Sequence, residues 1–205
     1  MRELNLVPCQ PRPWRVTTVP DPAASNTPDL VRRDFTTAAP GEKMVGDITY
    51  IHTWEGWVYL ATVIDCHTKK IIGWSMADHL KASLACDAMT MAASNMAIPD
   101  DAIFHSDRGV QYTSSEFHRV LRPLGIRSSV GRTGVCWDNA LAESVNASVK
   151  NELVHRTVFP TREQARRAIV KYIEGFCNQR RLHSGLDYKT PHEVHIEYLK
   201  RHVAA

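Results

Sequence analysis

The spacing of apolar positions changes twice along the chain, and each change marks a different kind of element. Val45–Ile51, Trp57–Ile64 and Lys70–Met76 are dense in β-branched and aromatic residues, the composition of strands on a pleated surface. Only Thr53–Gly56 separates the first two runs, and only Asp65–Lys69 the next two. Connections that short join antiparallel neighbours, so the runs predict a three-stranded meander. The period then becomes helical: Leu84, Ala88, Met91 and Ala92 share one face, and Pro99 ends the segment. Ala102–His105 predicts a short fourth strand. Thr113-Ser114-Ser115-Glu116 has the form of a capping box, followed by Phe117, Val120, Leu121 and Leu124 at helical spacing until Gly125. Ile126–Val130 alternates as a fifth strand. A glycine-containing loop, residues 131–134, leads to a helix expected over Asn139–Val154. Thr161-Arg162-Glu163-Gln164 is a second capping box, opening a helix with Ala165, Ala168, Ile169, Tyr172, Ile173 and Phe176 on one face.

A meander followed by strand–helix alternation predicts an α/β protein with a ribonuclease-H-like mixed sheet. Three antiparallel strands would be followed by two parallel ones, with helices packed on the faces. A doubly wound dinucleotide fold needs a helix after its first strand, and neither G-x-G-x-x-G after a strand nor a P-loop occurs.

Composition sets the boundaries. Seven of the eleven prolines fall before residue 41, where no apolar period survives, so residues 1–42 are expected to be a Pro-rich linker or N-terminal extension. Residues 43–196 are expected to form the core and 197–205 a tail. Hydrophobic residues at 43% can bury a core, yet no run approaches the ~20 apolar residues of a membrane span. The N-terminus has no apolar signal region. The five cysteines contain no C-x-x-C pair and fit neither a disulfide framework nor a zinc ribbon. A cytoplasmic protein with no membrane partner is expected. The net charge of +3 is uneven: residues 145–205 hold eleven Lys or Arg against six acids, residues 1–144 fourteen against sixteen. A basic C-terminal third on a mildly acidic body suits a polyanion approached from one side.

Three acids sit where chemistry would need them. Asp47 interrupts an apolar strand, which costs stability unless something pairs with it. Asp107 ends the fourth strand, and Glu143 lies near the start of the helix after Trp137-Asp138-Asn139. Leu141, Val145 and Val149 would face the core, leaving Glu143 and Lys150, seven residues apart, on the opposite face. Converging carboxylates without His or Cys make a hard oxygen site, suited to Mg²⁺ or Mn²⁺, and two such ions can activate an attacking oxygen and stabilise a leaving one. A single buried Asp is ordinarily a satisfied structural residue or a cap. Asp138 fits an N-cap, and Asp65 fits the chemistry of a tight turn.

Four strings in order carry a family likeness: Gly46-Asp47-Ile48-Thr49-Tyr50-Ile51, Gly56-Trp57-Val58-Tyr59-Leu60-Ala61, His105-Ser106-Asp107-Arg108-Gly109-x-Gln111-Tyr112, and Trp137-Asp138-Asn139-Ala140-x-x-Glu143-Ser144. Asn178-x-x-Arg181-x-His183 and Thr190-Pro191-x-Glu193 follow in the tail, and 35 residues separate Asp107 from Glu143. Between about Arg33 and Val194 the chain resembles the OrfB-type integrase-core transposases of bacterial insertion sequences, relatives of retroviral integrases. The resemblance implies a DD(35)E triad of Asp47, Asp107 and Glu143 binding two Mg²⁺ or Mn²⁺ ions. It implies hydrolysis of a phosphodiester at an element end, then attack by the freed 3′-hydroxyl on another strand. Double-stranded DNA is the implied partner, with a homo-oligomer on DNA and an OrfA-type subunit supplying end recognition. Upstream sequence usual in the family, including a helix-turn-helix, is expected to be missing here. Cys177 and Asp187 depart from the family's usual aromatic and Gly.

Lys150, Arg180 and Arg181 are expected as phosphate contacts, with Arg132 a loop contact near the reacting end. Asp47 and Asp107 are expected on adjacent strands with their carboxylates close. Glu143 is expected farther off in the absence of metal or DNA, because Gly131 and Gly134 loosen the loop before it. Two other readings fit the same residues: a ribonuclease-H-like nuclease, and a truncated, non-catalytic DNA-binding or inhibitory fragment of a transposase.

Overall fold

A computed structural model describes residues 27–132 and 136–203. Its centre is one five-stranded sheet in the order β3-β2-β1-β4-β5. The strands are β1 (Lys43–Thr53), β2 (Gly56–Asp65), β3 (Ile71–Ala77), β4 (Ile103–Ser106) and β5 (Arg127–Val130). β1, β2 and β3 pair antiparallel, and β4 and β5 join the β1 edge in parallel. This is the mixed sheet that the period changes predict. Its central strands read as nearly continuous apolar runs because both faces are covered. Ala61 and Val63 face one core, Leu60 and Ile64 the other.

α1 (Ala82–Asn95) and α2 (Ser115–Leu121) close the first face, and α3 (Ala140–Glu152) and α4 (Arg162–Val170) the second. Phe104, Phe117 and Tyr112 stack by edges and tilted rings in the first core. Gly73 on β3 lets α1 approach closely. A Cβ there would overlap the Ala88 carbonyl oxygen and lie 2.7 Å from the Ala92 nitrogen.

Several local expectations shift. The cap of α2 is Ser114, whose Oγ accepts the Phe117 N–H at 3.1 Å, one residue later than the capping box implied. The cap of α4 is Thr161, as expected, accepting from the Gln164 N–H. α4 does not continue as an α-helix: Lys171–Cys177 is π-helical. Of the expected face, Ala165, Ile169 and Ile173 are buried and Ala168 and Tyr172 pack against them, but Cys177 takes the last buried place and Phe176 emerges 40% exposed. α5 (Pro191–Val203) runs across the boundary expected at residue 196. Asp65 has the turn role expected of it, accepting from the Gly41 and Thr68 N–H groups and the Thr68 hydroxyl.

Of the expected N-terminal extension, residues 27–42 lie along the β4–β5 side of the sheet. The Val130 N–H donates to the Pro28 carbonyl, the Leu30 N–H to Ser129 Oγ, and the Ile103 N–H to the Glu42 carbonyl. Residues 1–26 of that extension, and Thr133 and Gly134 of the glycine-containing loop, lie outside the described residues. Among the described residues no helix is long and apolar enough to cross a membrane.

The close β3–α1 approach predicts that Gly73→Ala destabilises the fold by roughly 1 to 3 kcal/mol, the usual cost of overpacking against backbone. Urea denaturation should show a lower midpoint with an unchanged slope. An unchanged midpoint would mean that α1 is free to retreat.

Candidate active site

Parallel pairing places the first two acids. Val45 is in register with His105, and Asp47 and Asp107 each lie two residues further on. Both side chains therefore leave the same face at neighbouring positions, Asp107 just past the end of β4. Asp47 Oδ1 accepts the Ile48 N–H and its Oδ2 accepts Asn146 Nδ2 at 2.8 Å. Asp107 Oδ1 accepts the Gly109 N–H at 3.1 Å, and a Cβ on Gly109 would sit 2.9 Å from that oxygen. Among the described residues neither carboxylate has a Lys or Arg ion pair.

Electrostatics register the crowding. Burial, and then the Asp107 charge, push the Asp47 carboxyl from its ordinary 3.8 up to about 6, with Glu143 adding a smaller push. Burial raises Asp107 as well. The Tyr112 hydroxyl is buried without a hydrogen-bond partner, and desolvation plus the charges of both acids hold it firmly protonated. Glu143 stands on the exposed side of α3. Among the described residues no three acid, His or Cys side chains converge tightly enough to hold an ion. Asp47 and Asp107 are thus brought together, and Glu143 is near enough to act on Asp47 by its charge while remaining outside the pair. The donor set nevertheless fits a hard divalent cation: a half-buried carboxylate, Asp47, beside the solvent-facing Asp107, with no Lys or Arg ion pair to neutralise either among the described residues.

α3 is held to the pair by side chains that the sequence did not single out. Asn146 binds Asp47, and Asn139 Nδ2 donates to the Gly46 carbonyl at 3.0 Å. The signal for Asn146 was a polar residue on a helix face otherwise small or apolar, with buried Ala142 and Val149 beside it; Asn139 immediately precedes the helix. Leu141 and Val145, expected at the centre of that face, pack only at its margin. Asp138 is not the N-cap. It is buried, and its carboxylate takes Arg33 Nε at 2.7 Å and Arg132 Nε at 3.0 Å. Arg132 and Arg33 hold it well below the usual carboxylate range. His105 Nε2 lies 2.9 Å from the Asp138 carbonyl, which can only accept, so Nε2 carries the proton. Burial lowers the His105 pKa, and the neutral ring leaves Nδ1 to accept the Ser129 hydroxyl at 2.8 Å.

The expected DNA contacts are in different situations. Lys150 Nζ lies 4.6 Å from the centre of the Tyr50 ring, about two turns along α3 from Glu143 on the same face. Arg180 is exposed beside a groove lined by Leu153, Tyr172 and Phe176. Arg181 Nη1 is held by both Glu152 oxygens at 2.7 Å, a staple between α3 and the π-helical turn. Arg132 is tied to Asp138, as above.

Comparison with known proteins decides the family. The integrase core domain family matches residues 37–136, and a second integrase core domain family residues 124–191. The transposase for insertion sequence element IS904 of Lactococcus lactis subsp. lactis (strain IL1403) is 42% identical over 169 residues, covering 82% of this chain and 67% of that protein. The chain belongs to the integrase-core family of insertion-sequence transposases. Transposase InsF for insertion sequence IS3A of Escherichia coli (strain K12) is 43% identical over 156 residues, 76% of this chain and 54% of that protein. This transposase-family chain thus spans about half to two thirds of the length of these curated relatives. The same fold appears in the HTLV-2 integrase catalytic core domain in complex with magnesium, in its dimeric form. The TM-score is 0.61 at 20% identity, covering 78% of this chain and 99% of that one. A chain of the simian T-cell lymphotropic virus intasome gives a TM-score of 0.64 at 18% identity, covering 85% and 60%.

The raised Asp47 pKa has a direct consequence for stability. An acid whose folded-state pKa lies above its unfolded value adds no penalty below the unfolded pKa, near 4. It destabilises the fold as pH rises through about 6. In metal-free buffer Asp47→Asn should stabilise the protein by roughly 1 to 3 kcal/mol at pH 7.5, and the gain should vanish near pH 4. Urea melts across that range test it, and a pH-independent difference would show that Asp47 is not desolvated.

Proposed function

We propose that this chain is the catalytic core of a DDE transposase. In this reading, Asp47, Asp107 and Glu143 direct divalent-metal-dependent hydrolysis of a phosphodiester at an element end, followed by 3′-hydroxyl strand transfer. The observation that supports it most is the placement of Asp47 on β1 and Asp107 just past the end of the neighbouring parallel strand β4, with the Asp47 carboxyl partly desolvated and neither acid in an ion pair with Lys or Arg among the described residues. We take residues 43–196 as the core, residues 1–42 as an extension and 197–205 as a tail.

Asp47, Asp107 and Glu143 would hold the metal, two Mg²⁺ or Mn²⁺ ions. Bound there, the ions supply activation of the attacking oxygen and charge stabilisation of the leaving oxygen. Asn146 orients Asp47 by its hydrogen bond, and the Gly109 N–H orients Asp107. Glu143, on α3, completes the set by swinging in from the exposed face. The neutral Tyr112 hydroxyl remains as a donor beside the two acids. No side-chain nucleophile is required, since the attacking oxygen belongs to water or to DNA. Lys150, Arg132, Arg180 and Arg181 are the proposed phosphate contacts, of which Lys150 and Arg180 are free of ion pairs among the described residues.

The partner is double-stranded DNA, both element end and target. A second copy of the chain on DNA and an OrfA-type subunit for end recognition complete the proposal, in keeping with relatives of which the match covers only 54 to 67%. The HTLV-2 integrase catalytic core domain is solved in complex with magnesium, and the shared fold supports the same ion class here.

The reading predicts that Asp107→Asn reduces hydrolysis and strand transfer together to background, because both steps use the same ions. The near-isosteric amide should preserve the fold. At 100 times the dissociation constant, Mn²⁺ should stabilise the unaltered protein by about 2.7 kcal/mol, and the variant by much less. Loss of one chemical step alone, or metal stabilisation equal to the unaltered protein's, would contradict the triad. Products that are only random nicks in any duplex, never joined strands, would favour the nuclease reading.

A further inference from the structure

Beside the acids lies a cleft of about 370 Å³ lined by Asp29, Arg32, Arg33 and Arg132. We propose that it is a phosphate-binding cleft, occupied by a backbone phosphodiester of the DNA strand whose reacting phosphate lies at Asp47 and Asp107. This inference rests on the DNA-processing reading above.

The residues around the cleft are held in place at a visible conformational cost. Arg32 and Arg33 are consecutive non-glycine residues in the left-handed region, with φ of 50° and 66°, a conformation seldom adopted by residues with a Cβ. Asp29 Oδ1 holds that turn by accepting the Val31 and Arg32 N–H groups at 3.0 and 2.8 Å. The turn sends Arg32 and Arg33 toward Arg132, across a sequence gap of about a hundred residues. Beneath them the buried Asp138 fixes two of the three guanidinium groups. Arg33 commits one donor, and Arg132 two side-chain donors, at 2.7 to 3.2 Å. Each guanidinium has five N–H donors, so most of them are not committed to Asp138, and these side chains remain 48% and 63% exposed. Arg32 is exposed and has no ion pair among the described residues. Three arginines against two aspartates leave one uncompensated positive charge, and planar forked donors suit a phosphate.

The cleft is fastened to the catalytic end of the sheet. The Gly131 N–H donates to the Ser106 carbonyl at 3.0 Å, the residue before Asp107, and Arg108 Nε donates to the Gly131 carbonyl at 3.4 Å. Asp138 lies in the turn (Cys136–Asn139) that leads into α3 and Glu143. A phosphate in the cleft would therefore hold a strand beside two of the three acids.

Arg32 is the clean probe, since its side chain touches neither Asp138 nor the acids. Arg32→Gln should bind a labelled DNA duplex roughly five- to tenfold more weakly at 0.1 M salt. The slope of log affinity against log salt should fall by about one unit. Arg122→Gln, at the exposed end of α2, removes the same charge elsewhere and should leave the slope unchanged. An unaltered slope in Arg32→Gln, or an equal drop in Arg122→Gln, would overturn the cleft while leaving DNA binding intact. If the unaltered chain bound no DNA with any salt dependence, the DNA reading and the cleft would both fall. Inorganic phosphate supplies the remaining arm. If it raises the melting temperature of the unaltered chain but not of Arg32→Gln, while the two DNA slopes agree, the site takes a free anion and the DNA assignment is overturned.

Discussion

The repulsion between two carboxylates on neighbouring strands is the constraint that organises this structure. Parallel pairing of β1 with β4 sets Asp47 beside Asp107, and partial burial together with the Asp107 charge raises the Asp47 pKa, while Asp107 itself faces solvent. No basic side chain among the described residues neutralises either one. An arrangement that costs stability in the metal-free protein persists because the surrounding sheet, closed on both faces, over-determines it. On the proposed reading, a divalent ion bound there would offset the repulsion that folding leaves in place.

The second face of the sheet serves that site. Asn146 and Asn139 dock α3 against β1, so the helix that carries Glu143 is positioned by hydrogen bonds to Asp47 itself and to its neighbour Gly46. On the other flank, Asp138, His105 and Ser129 tie the turn before α3 to β4, β5 and residues 28–33. Glu143 is left on the exposed side, the one member of the set whose place depends on a short turn and not on a strand. On the proposed reading, Glu143 would join the other two acids only when metal or DNA is bound.

Much of this was legible in the residues. An acid in an apolar strand, a second at a strand end and a third near a helix start are anomalies that burial arithmetic exposes, and the short connections settled the meander. Other features were not legible, for identifiable reasons. Asp138 has the chemistry of an N-cap, and only a contact from Arg33, 105 residues away, reveals it as an anchor. Asn146 shows only as a polar residue on an apolar helix face, and its partner, 99 residues off, cannot be read from that. The π-helical turn escaped because Phe176 and Cys177 are both apolar enough to end the expected face. The extension looked like a linker because proline content says nothing about the backbone hydrogen bonds that residues 28–42 make to β4 and β5.

The central claim is that Asp47 is a desolvated acid repelled by its neighbour and awaiting a cation. Carbon-detected NMR titration of the Asp47 side-chain carboxyl, without and with Mg²⁺, measures this directly. The account predicts a midpoint near 6 in metal-free buffer, moving well down the pH scale when Mg²⁺ is added. A midpoint near the ordinary 3.8 without metal, or one that Mg²⁺ leaves in place, would contradict it.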